Sequence, residues 1–274
     1  PSAKSIPSLS HLGFSAKPQQ QLEASIADNR GLIIIAGGNN ANVAGTLARL
    51  AYTASTLPYT SVSTIEEPVY YQIPGVTQVE VTHTQPIEDA VPAVINQSPQ
   101  VIIASTLGKA GSVEQLVDFA LSHHLVIAGM YATTVKSVFE MLQRYPVAPA
   151  IMAASLQTVI VQHAVPALCK TCRVTFKPVG PLKAALQKQF DLDNDSPVYR
   201  QGTGCTNCHK GINGTVIIPE MIRVTPKIQQ LLASHADYAA MQPVLTEQSD
   251  LMKQVNGLLR KGTISIDQAT ALAG

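Results

Sequence analysis

The sequence predicts an α/β protein with a mostly parallel central sheet, joined to a small cysteine-rich lobe and a C-terminal helical segment. Short apolar runs bounded by glycine, such as residues 31–36 (GLIIIA), are typical of strands buried on both faces of a parallel sheet. These runs alternate with stretches in which apolar residues recur at helical spacing, which is typical of repeated βαβ units. After Pro166 the pattern changes to two C-x-x-C pairs, which predict a metal-binding lobe.

The length and composition narrow the possible classes of protein. The chain has 274 residues, enough for one large domain or for a medium-sized domain with small additions. Only 14% of the residues are charged and the formal net charge is +1. These values indicate neither the excess of basic residues that is typical of nucleic-acid-binding proteins nor an acidic tail. Because the chain begins at Pro1 rather than methionine, we expect it to be part of a longer protein. The predicted parts are a linker (1–17), an α/β domain (18–165), a tetracysteine lobe (166–223) and a helical subdomain (224–274).

The α/β domain is predicted element by element from apolar spacing. Prolines and small polar residues dominate the linker, where one apolar cluster is formed by Leu9, Leu12 and Phe14. Helical spacing predicts helices at 19–29 and, after the first strand and a Gly/Asn loop, at 45–57. The remaining predicted strands of this domain are 60–65, 101–105 and 125–129, and its remaining helices are 113–122 and 133–145.

One long uncharged stretch raises the question of a membrane span. Residues 148–168 contain no Asp, Glu, Lys or Arg and are long enough to cross a bilayer as a helix. Gln157, Gln162 and His163 interrupt the stretch, and such polar groups are costly in lipid. We therefore expect a buried core helix and no transmembrane segment.

The C-terminal third is predicted to be small and mostly helical around the cysteines. A helix near 182–190 and an acidic turn at 191–195 are expected inside the lobe. Further helices are expected at 224–238, 246–260 and 266–272.

The four cysteines of the chain, Cys169, Cys172, Cys205 and Cys208, form the two C-x-x-C pairs. Each pair can place two thiolates on a tight turn, and two such turns can face one another around a tetrahedral ion. Four sulfur ligands close the coordination shell of Zn²⁺, so the predicted zinc is structural. Two disulfides, an iron–sulfur cluster and metal-free thiols are the alternatives. The sequence shows no secretory signal, which argues against disulfides.

Several segments, taken together in their order, resemble a known family. They are residues 8–14 (SLSHLGF), Gly31–Gly37, 63–75 (STIEEPVYYQIPG), 99–103, 124–128, the cysteine pairs, 211–221 (GINGTVIIPEM) and 257–269. The chain resembles, over almost its whole length, the C-terminal motor domain of the type II secretion and type IV pilus assembly ATPases. The resemblance implies a RecA-like P-loop NTPase fold with a zinc-binding tetracysteine lobe. It also implies a hexameric ring on the cytoplasmic face of the inner membrane, in contact with a polytopic platform protein.

The phosphate-binding loop of that family is degenerate in this sequence. Its pattern, G-x-x-x-x-G-K-[ST], corresponds to a stretch that begins at Gly37 and Gly38, where Asn42 replaces the second glycine. Val43 stands at the position of the lysine that neutralises phosphate charge, and Ala44 stands at the position of the hydroxyl that holds Mg²⁺. Because Asn tolerates left-handed backbone conformations, we expect the loop to keep its shape while it loses its charge and its metal ligand. Ordinary binding of ATP and Mg²⁺ is therefore not expected.

Charged residues are missing from the other motor motifs as well. Glu66 and Glu67 remain where the family has Glu-Asp, and His124 remains where it has its first histidine, but residues 91–94 contain no arginine. We interpret the two glutamates as a structural pair at a strand end and His124 as a histidine at a strand start; residual water or metal binding and phosphate sensing are the alternatives. The replacements are Tyr70 for an acid, Thr106 for the Walker B glutamate, Gly108 and Lys109 for an Arg-Asp pair, Tyr131 for the second histidine, and His163 and Pro166 for arginines.

Phosphoryl transfer depends on positioning and charge stabilisation, so the joint loss of these groups predicts a pseudo-ATPase without catalytic residues. The expected role is structural or regulatory, with the platform protein or a paralogous assembly ATPase as partner and a homo- or hetero-hexamer as the assembly. A divergent ATPase or nucleotide binder is the alternative function. A nucleic-acid-binding zinc module is a third, but the basic excess around the cysteines is modest, and no nucleic-acid partner is expected.

Overall fold

The computed structural model describes residues 5–180, 186, 188–190 and 197–273. The helix predicted near 182–190 lies mostly outside these residues, and the acidic turn at 191–195 lies entirely outside them. The contacts divide the chain into two compact units. We call Pro1–His163 with Pro219–Gln248 the sheet unit, and Ala164–Ile218 with Ser249–Gly274 the cysteine unit.

The helices and strands of the described residues follow one another in a mostly alternating order. The helices are α1 (Ala16–Ala27), α2 (Val43–Ser55), α3 (Ile87–Ile95), α4 (Ala110–Leu121), α5 (Val135–Leu142), α6 (Pro149–Ser155), α7 (Pro226–Ala233), α8 (Tyr238–Gln248), α9 (Leu251–Arg260) and α10 (Ile266–Ala273). The strands are β1 (Gly31–Gly37), β2 (Val62–Glu66), β3 (Val76–Glu80), β4 (Val101–Ala104), β5 (Leu125–Met130), β6 (Leu156–Leu168), β7 (Val174–Phe176), β8 (Val198–Arg200) and β9 (Ile212–Arg223).

Seven strands form the main sheet, in the order β3-β2-β4-β5-β1-β6-β9. The pairs β3/β2, β2/β4, β4/β5, β5/β1 and β1/β6 are all parallel, as the alternation of strands and helices predicted. The order is not sequential, because the chain leaves β1, forms the four strands β2 to β5 on one side of it, and then returns to place β6 on the other side. The predicted mostly parallel α/β sheet is therefore confirmed.

Strand β1 lies between the two halves of the core of the sheet unit. Its β-branched run favours extended backbone, and its alternate side chains point to opposite faces of the sheet. Leu32 and Ile34 pack in one apolar cluster with residues of α4 and α5, whereas Ile33 and Ile35 pack in the other with residues of α1 and α2. Helices therefore cover both faces of the sheet.

The segment 148–168 does not form the buried helix that its apolar character predicted. The chain forms the short helix α6 and then changes at Leu156 into the thirteen-residue strand β6. The second half of the segment contains a β-branched run around Val159, and its backbone pairs with β1. An apolar run of this kind is compatible with either a helix or a strand. Here the pairing with β1 favours the strand. None of the helices in the described part of the chain has the length and apolar character needed to cross a bilayer.

The N-terminal segment is packed against the sheet unit from Leu9 onward. Leu9, Leu12 and Phe14 are 6%, 1% and 2% exposed and belong to the same cluster as Ile33. Helices α7 and α8 belong to the sheet unit, whereas α9 and α10 belong to the cysteine unit. The domain boundaries given by the sequence remain predictions.

The cysteine unit has its own small core. Strands β7 and β8 form an antiparallel ribbon. Val198 of β8 packs in one cluster with Phe190 and with Val255 and Leu259 of α9. Helices α9 and α10 therefore help to bury the apolar side chains beside the cysteines.

Candidate functional site

The carboxyl ends of four parallel strands meet at one edge of the main sheet. β1 ends at Gly37, β2 at Glu66, β4 at Ala104 and β5 at Met130. Ligands of open parallel sheets bind at this edge, in the space beyond the strand ends. Glu66, Thr106 and Tyr131, which the sequence singled out, lie at or just beyond these strand ends, next to the loop that follows β1.

The loop between β1 and α2 retains the backbone shape that the sequence led us to expect. Asn42 lies in the left-handed region (φ 56°, ψ 38°), a conformation for which glycine is the usual residue. Gly37 is needed for a different reason: an added Cβ would lie 2.6 Å from Cβ of Ala41 and 2.8 Å from Cγ2 of Val43. The loop is therefore tightly wound, but it carries no charged side chain.

Val43 and Ala44 line a cavity where the family has its lysine and its metal-binding hydroxyl. The cavity has a volume of about 160 Å³ and lies between the first turns of α2 and the ends of β2 and β4. Its lining residues are Val43, Ala44, Leu47, Ala48, Thr64, Glu66, Glu67, Pro68, Tyr70, Ile73, Ile103 and Ser105. The walls are mostly apolar, and the two glutamates supply the charge.

Glu66, the last residue of β2, is held by two neutral side chains. Its Oε1 accepts hydrogen bonds from Oγ1 of Thr64 at 2.6 Å and from Nε2 of Gln78 at 2.9 Å. Glu67 lies further out, and its Oε1 is 3.2 Å from Nδ1 of the fully exposed His83. These contacts suit the interpretation of Glu66 as a structural residue at a strand end.

The remaining replacements at this edge are polar or aromatic rather than acidic. Thr106, two residues after the end of β4, is exposed. Tyr131 directly follows β5 and is 67% exposed, and Tyr70 is 52% exposed. No acid of the Walker B kind therefore stands at the end of β4 to activate water.

His124 lies at the opposite edge of the sheet from the other motif residues. It precedes the six-residue strand β5, whose length separates it from Tyr131 by about 20 Å. Its ring stacks on Phe119, with a centroid distance of 4.1 Å and an interplanar angle of 8°. Nδ1 is buried and has no hydrogen-bond partner among the described residues. His124 therefore contributes nothing to the edge that holds the loop.

Two contacts near the loop were not predicted from the sequence. Gln162 of β6 is 1% exposed, and its Nε2 donates to the carbonyl oxygen of Ala41 at 3.3 Å. His163, the next residue, contacts Glu220 of β9 across 3.2 Å, and both side chains are almost buried. The only signal in the sequence was the presence of two polar residues in an apolar run.

The four cysteines lie together in the cysteine unit, as predicted. All four Sγ atoms lie within 4.8 Å of one another, and the shortest pairs, Cys172–Cys208 and Cys205–Cys208, are 3.6 Å apart. A disulfide needs an S–S distance of about 2.05 Å, so these are separate thiols. Four sulfurs at about 2.3 Å from a tetrahedral Zn²⁺ would be about 3.8 Å apart, so the cluster has the donor set and the dimensions for such an ion.

The thiols of the cluster differ in acidity because their surroundings differ. Backbone N–H groups of Cys172 and Thr171 lower the pKa of Cys169 to about 6. Burial, together with the neighbouring thiols, raises the pKa of Cys172 to about 12. Binding of a metal ion would therefore release protons from the cluster.

Backbone contacts and one arginine fix the turn that carries the first cysteine pair. The N–H of Cys169 donates to the carbonyl oxygen of Gly211 at 2.8 Å. The guanidinium of Arg173 lies 4.1 Å from the ring centroid of Tyr199 and donates to the carbonyl oxygens of Lys261 and Gly262. The turn is thereby joined to β8 and to the end of α9.

The chain is similar to proteins of secretion and pilus machines. The family model for type II/IV secretion system proteins matches residues 1–271. The chain is 28% identical over 273 residues to a putative type II secretion system protein E of Escherichia coli K12, and 25% identical over 267 residues to the type II secretion system ATPase E of Vibrio cholerae. These alignments cover 97% and 95% of this chain but 54% and 52% of the relatives. The chain thus spans about half the length of these relatives.

Solved structures show the same fold. The pilus retraction motor PilT with bound ADP aligns with a TM-score of 0.71 at 20% identity, covering 98% of this chain and 67% of that one. The ATPase DotB of Legionella pneumophila aligns with a TM-score of 0.70 at 14% identity, covering 98% and 65%. At these identities the similarity concerns the fold, and it confirms the predicted RecA-like fold class.

Proposed function

The chain belongs to the type II/IV secretion system protein family, and we propose that it is a catalytically inactive, ATPase-like component of a type IV pilus or type II secretion machine. In this proposal it acts as a structural or regulatory subunit. Its place is the cytoplasmic side of the inner membrane, where it binds peripherally.

The observation that carries the proposal is the pair Val43 and Ala44 at the start of α2. A working loop needs a lysine to neutralise the β- and γ-phosphates and a hydroxyl to hold Mg²⁺. Here both positions line a mostly apolar cavity whose charged groups are acidic. The backbone N–H groups of the loop remain, but the loop has no cationic side chain that could neutralise the negative charge of a triphosphate.

Losses elsewhere at the same edge strengthen the proposal. Thr106 and Tyr131 offer no carboxylate or imidazole, and Glu66 is bonded to Thr64 and Gln78. Removing one electrostatic contribution of this kind typically costs about 10²–10³ in rate. Several losses together leave no route to useful hydrolysis, although such effects do not simply multiply.

We further propose that Cys169, Cys172, Cys205 and Cys208 hold a structural Zn²⁺. The fit rests on the four sulfur donors and on their distances. When bound, the ion would supply cross-links between the two turns and no catalysis, because four protein ligands leave no open position. No comparable set of side chains supports a tightly bound nucleotide.

The proposed partners are an inner-membrane platform protein, a paralogous active assembly ATPase, or both. A homo- or hetero-hexamer is the proposed assembly. We propose no nucleic-acid partner, since the net charge is only +1 and, in the cysteine unit, Arg173 and Arg200 are stacked on Tyr199 and Phe176.

Isothermal titration calorimetry with Mg-ATP and with Mg-ADP tests the proposal. We expect no binding at micromolar nucleotide and no phosphate release above the no-enzyme rate. A micromolar dissociation constant would contradict the proposal, and turnover that Glu66→Gln or Glu67→Gln abolishes would establish the alternative function, a divergent ATPase. The retained left-handed conformation of Asn42 is the observation that favours this alternative.

A further inference from the structure

We propose that the cavity beside Val43 and Ala44 binds a primary alkylammonium group, and that its occupant is a lysine side chain from a neighbouring protein chain. The inference rests on the proposed function, because Mg-ATP would need the same space. The inference gives the cavity beside the altered loop a ligand other than a nucleotide. A subunit that cannot use nucleotide would then be joined to its neighbour by direct contact.

The size of the cavity suits one side chain. Apolar cavities of about 150 Å³ accept a molecule of the size of benzene, whereas sites for larger organic ligands usually exceed about 300 Å³. The cavity here has about 160 Å³. It can therefore take four methylene groups and an ammonium head.

The walls of the cavity suit an aliphatic stem. Val43, Ala44 and Leu47, on the first turns of α2, belong to this lining, and Ile103 of β4 and Ile73 of the segment between β2 and β3 contribute further apolar surface. A lysine stem gains about two- to fourfold in affinity for each methylene that leaves water. A hydrated Mg²⁺ ion gains nothing from methyl groups, because it prefers oxygen ligands and retains water.

The charge in the cavity suits a cationic head. Glu66 and Glu67 are the charged groups of the lining. The partners of Glu66 are neutral, and the partner of Glu67 is the exposed His83. Within the described residues neither carboxylate is paired with Lys or Arg. An incoming ammonium would meet two acceptors of opposite charge beside an apolar wall.

A chain-length series of small ligands tests the chemistry on the whole chain. Methyl resonances of the cavity residues are followed by NMR during titration with ethyl-, propyl- and butylammonium, with butanol and with butyrate. We expect affinity to rise about two- to fourfold per methylene, butylammonium to bind at least tenfold more tightly than butanol, and butyrate not to bind. Equal affinity for butanol and butylammonium, or tighter binding of butyrate, would overturn the proposal.

Nα-acetyl-lysine methylamide and its norleucine analogue test the occupant. The norleucine compound keeps the stem and lacks the ammonium, so it should bind at least tenfold more weakly. Equal affinity of the two would reject lysine as the occupant. Preference for the arginine analogue would reject it too, since the rigid guanidinium would then be the better fit.

Variants of the cavity residues locate the binding. The double variant Glu66→Gln, Glu67→Gln keeps the oxygen that accepts from Thr64 and Gln78, and it should lose binding at least tenfold. Ala44→Leu, a good helix former that fills the cavity, should abolish binding independently of the charge. Glu114→Gln, on the exposed face of α4, is the matched control and should bind as the unaltered chain does. Unchanged affinity in both cavity variants would contradict the proposed site.

A separate titration with Mg-ATP distinguishes the two proposals. Absence of nucleotide binding together with the expected alkylammonium series supports both. Nucleotide binding that competes with the lysine compound contradicts the inactive function and leaves the lysine site standing. If neither Mg-ATP nor the lysine compound binds, the lysine site is contradicted and the proposed function is not.

Discussion

Nε2 of Gln162 donates a hydrogen bond to the carbonyl oxygen of Ala41 across 3.3 Å, and this contact ties the loop before α2 to strand β6. Gln162 pairs in register with Gly37, the last residue of β1. The loop is therefore held from the side by a neighbouring strand. This explains how the loop keeps a tight conformation without the phosphate-binding lysine.

Replacement of Gln162 by alanine should loosen this loop. The buried carbonyl of Ala41 would lose its partner, and such a loss costs about 1–3 kcal/mol. Urea denaturation should show this decrease in the free energy of unfolding, and amide exchange should rise in the loop. Gln115→Ala, on the exposed face of α4, is the control and should change stability by less than about 0.5 kcal/mol. No effect at either residue would mean that the loop is held in another way.

Gly37→Ala should destabilise the sheet unit through a steric clash. The added methyl would lie within 2.6 Å of Cβ of Ala41, and overpacking of this kind costs about 1–3 kcal/mol. Gly111→Ala is the matched control, because a methyl there meets no atom within 4 Å and lies in α4. The control should be neutral or slightly stabilising. Thermal unfolding of both variants provides the comparison, and equal melting temperatures would show that the loop can rearrange.

Purified protein should contain about one equivalent of zinc, and Cys169→Ser should remove it. Removal of one of four ligands opens the closed coordination shell, so the cysteine unit should become sensitive to protease. Because thiols must release protons to bind the ion, zinc affinity should fall as the pH decreases from 7.5 to 6. Elemental analysis at each pH gives the metal content. Less than half an equivalent in a sample never exposed to chelator would contradict the structural site.

Arg173→Ala should weaken the cysteine unit without removing a zinc ligand. The change removes a cation–π contact with Tyr199 and hydrogen bonds to two carbonyl oxygens, and the expected cost is about 1–3 kcal/mol. Limited proteolysis and zinc retention in a chelator challenge are the measurements. Lys170→Ala, at an exposed residue nearby, is the control and should behave as the unaltered chain. If the two variants behave alike, the stacking contributes nothing measurable.

Restoring the two lost residues of the loop, as Val43→Lys with Ala44→Thr, should create nucleotide affinity without turnover. The new lysine and hydroxyl supply charge and a metal ligand at the start of α2. Hydrolysis should stay at background because Thr106 still offers no carboxylate. Calorimetry and a phosphate-release assay give the two readouts. Substantial turnover in the double variant would show that the missing acid is not required.

The sequence predicted those features that depend on local spacing. The glycine-bounded run of β1, the helices α2 and α4 and the left-handed conformation expected of Asn42 follow from neighbouring residues, and the cysteine cluster was recognised from the short spacing within each C-x-x-C pair. The strand β6 was not predicted, because an apolar run is compatible with a helix and only pairing with β1 decides between them. The tie from Gln162 to Ala41 joins residues 121 positions apart, and no local pattern contains that information.

The order in which the chain visits its two units has a consequence for how this protein can change. The chain leaves the sheet unit within β6, enters it again within β9, and leaves it once more after α8. Cleavage of one peptide bond can therefore not release the cysteine unit. Deletion of its segment 164–218 would interrupt both β6 and β9, which are neighbours in the main sheet. In a chain connected in this way, substitutions can change side chains one at a time in either unit, whereas removal of the cysteine unit as a whole would also remove parts of β6 and β9.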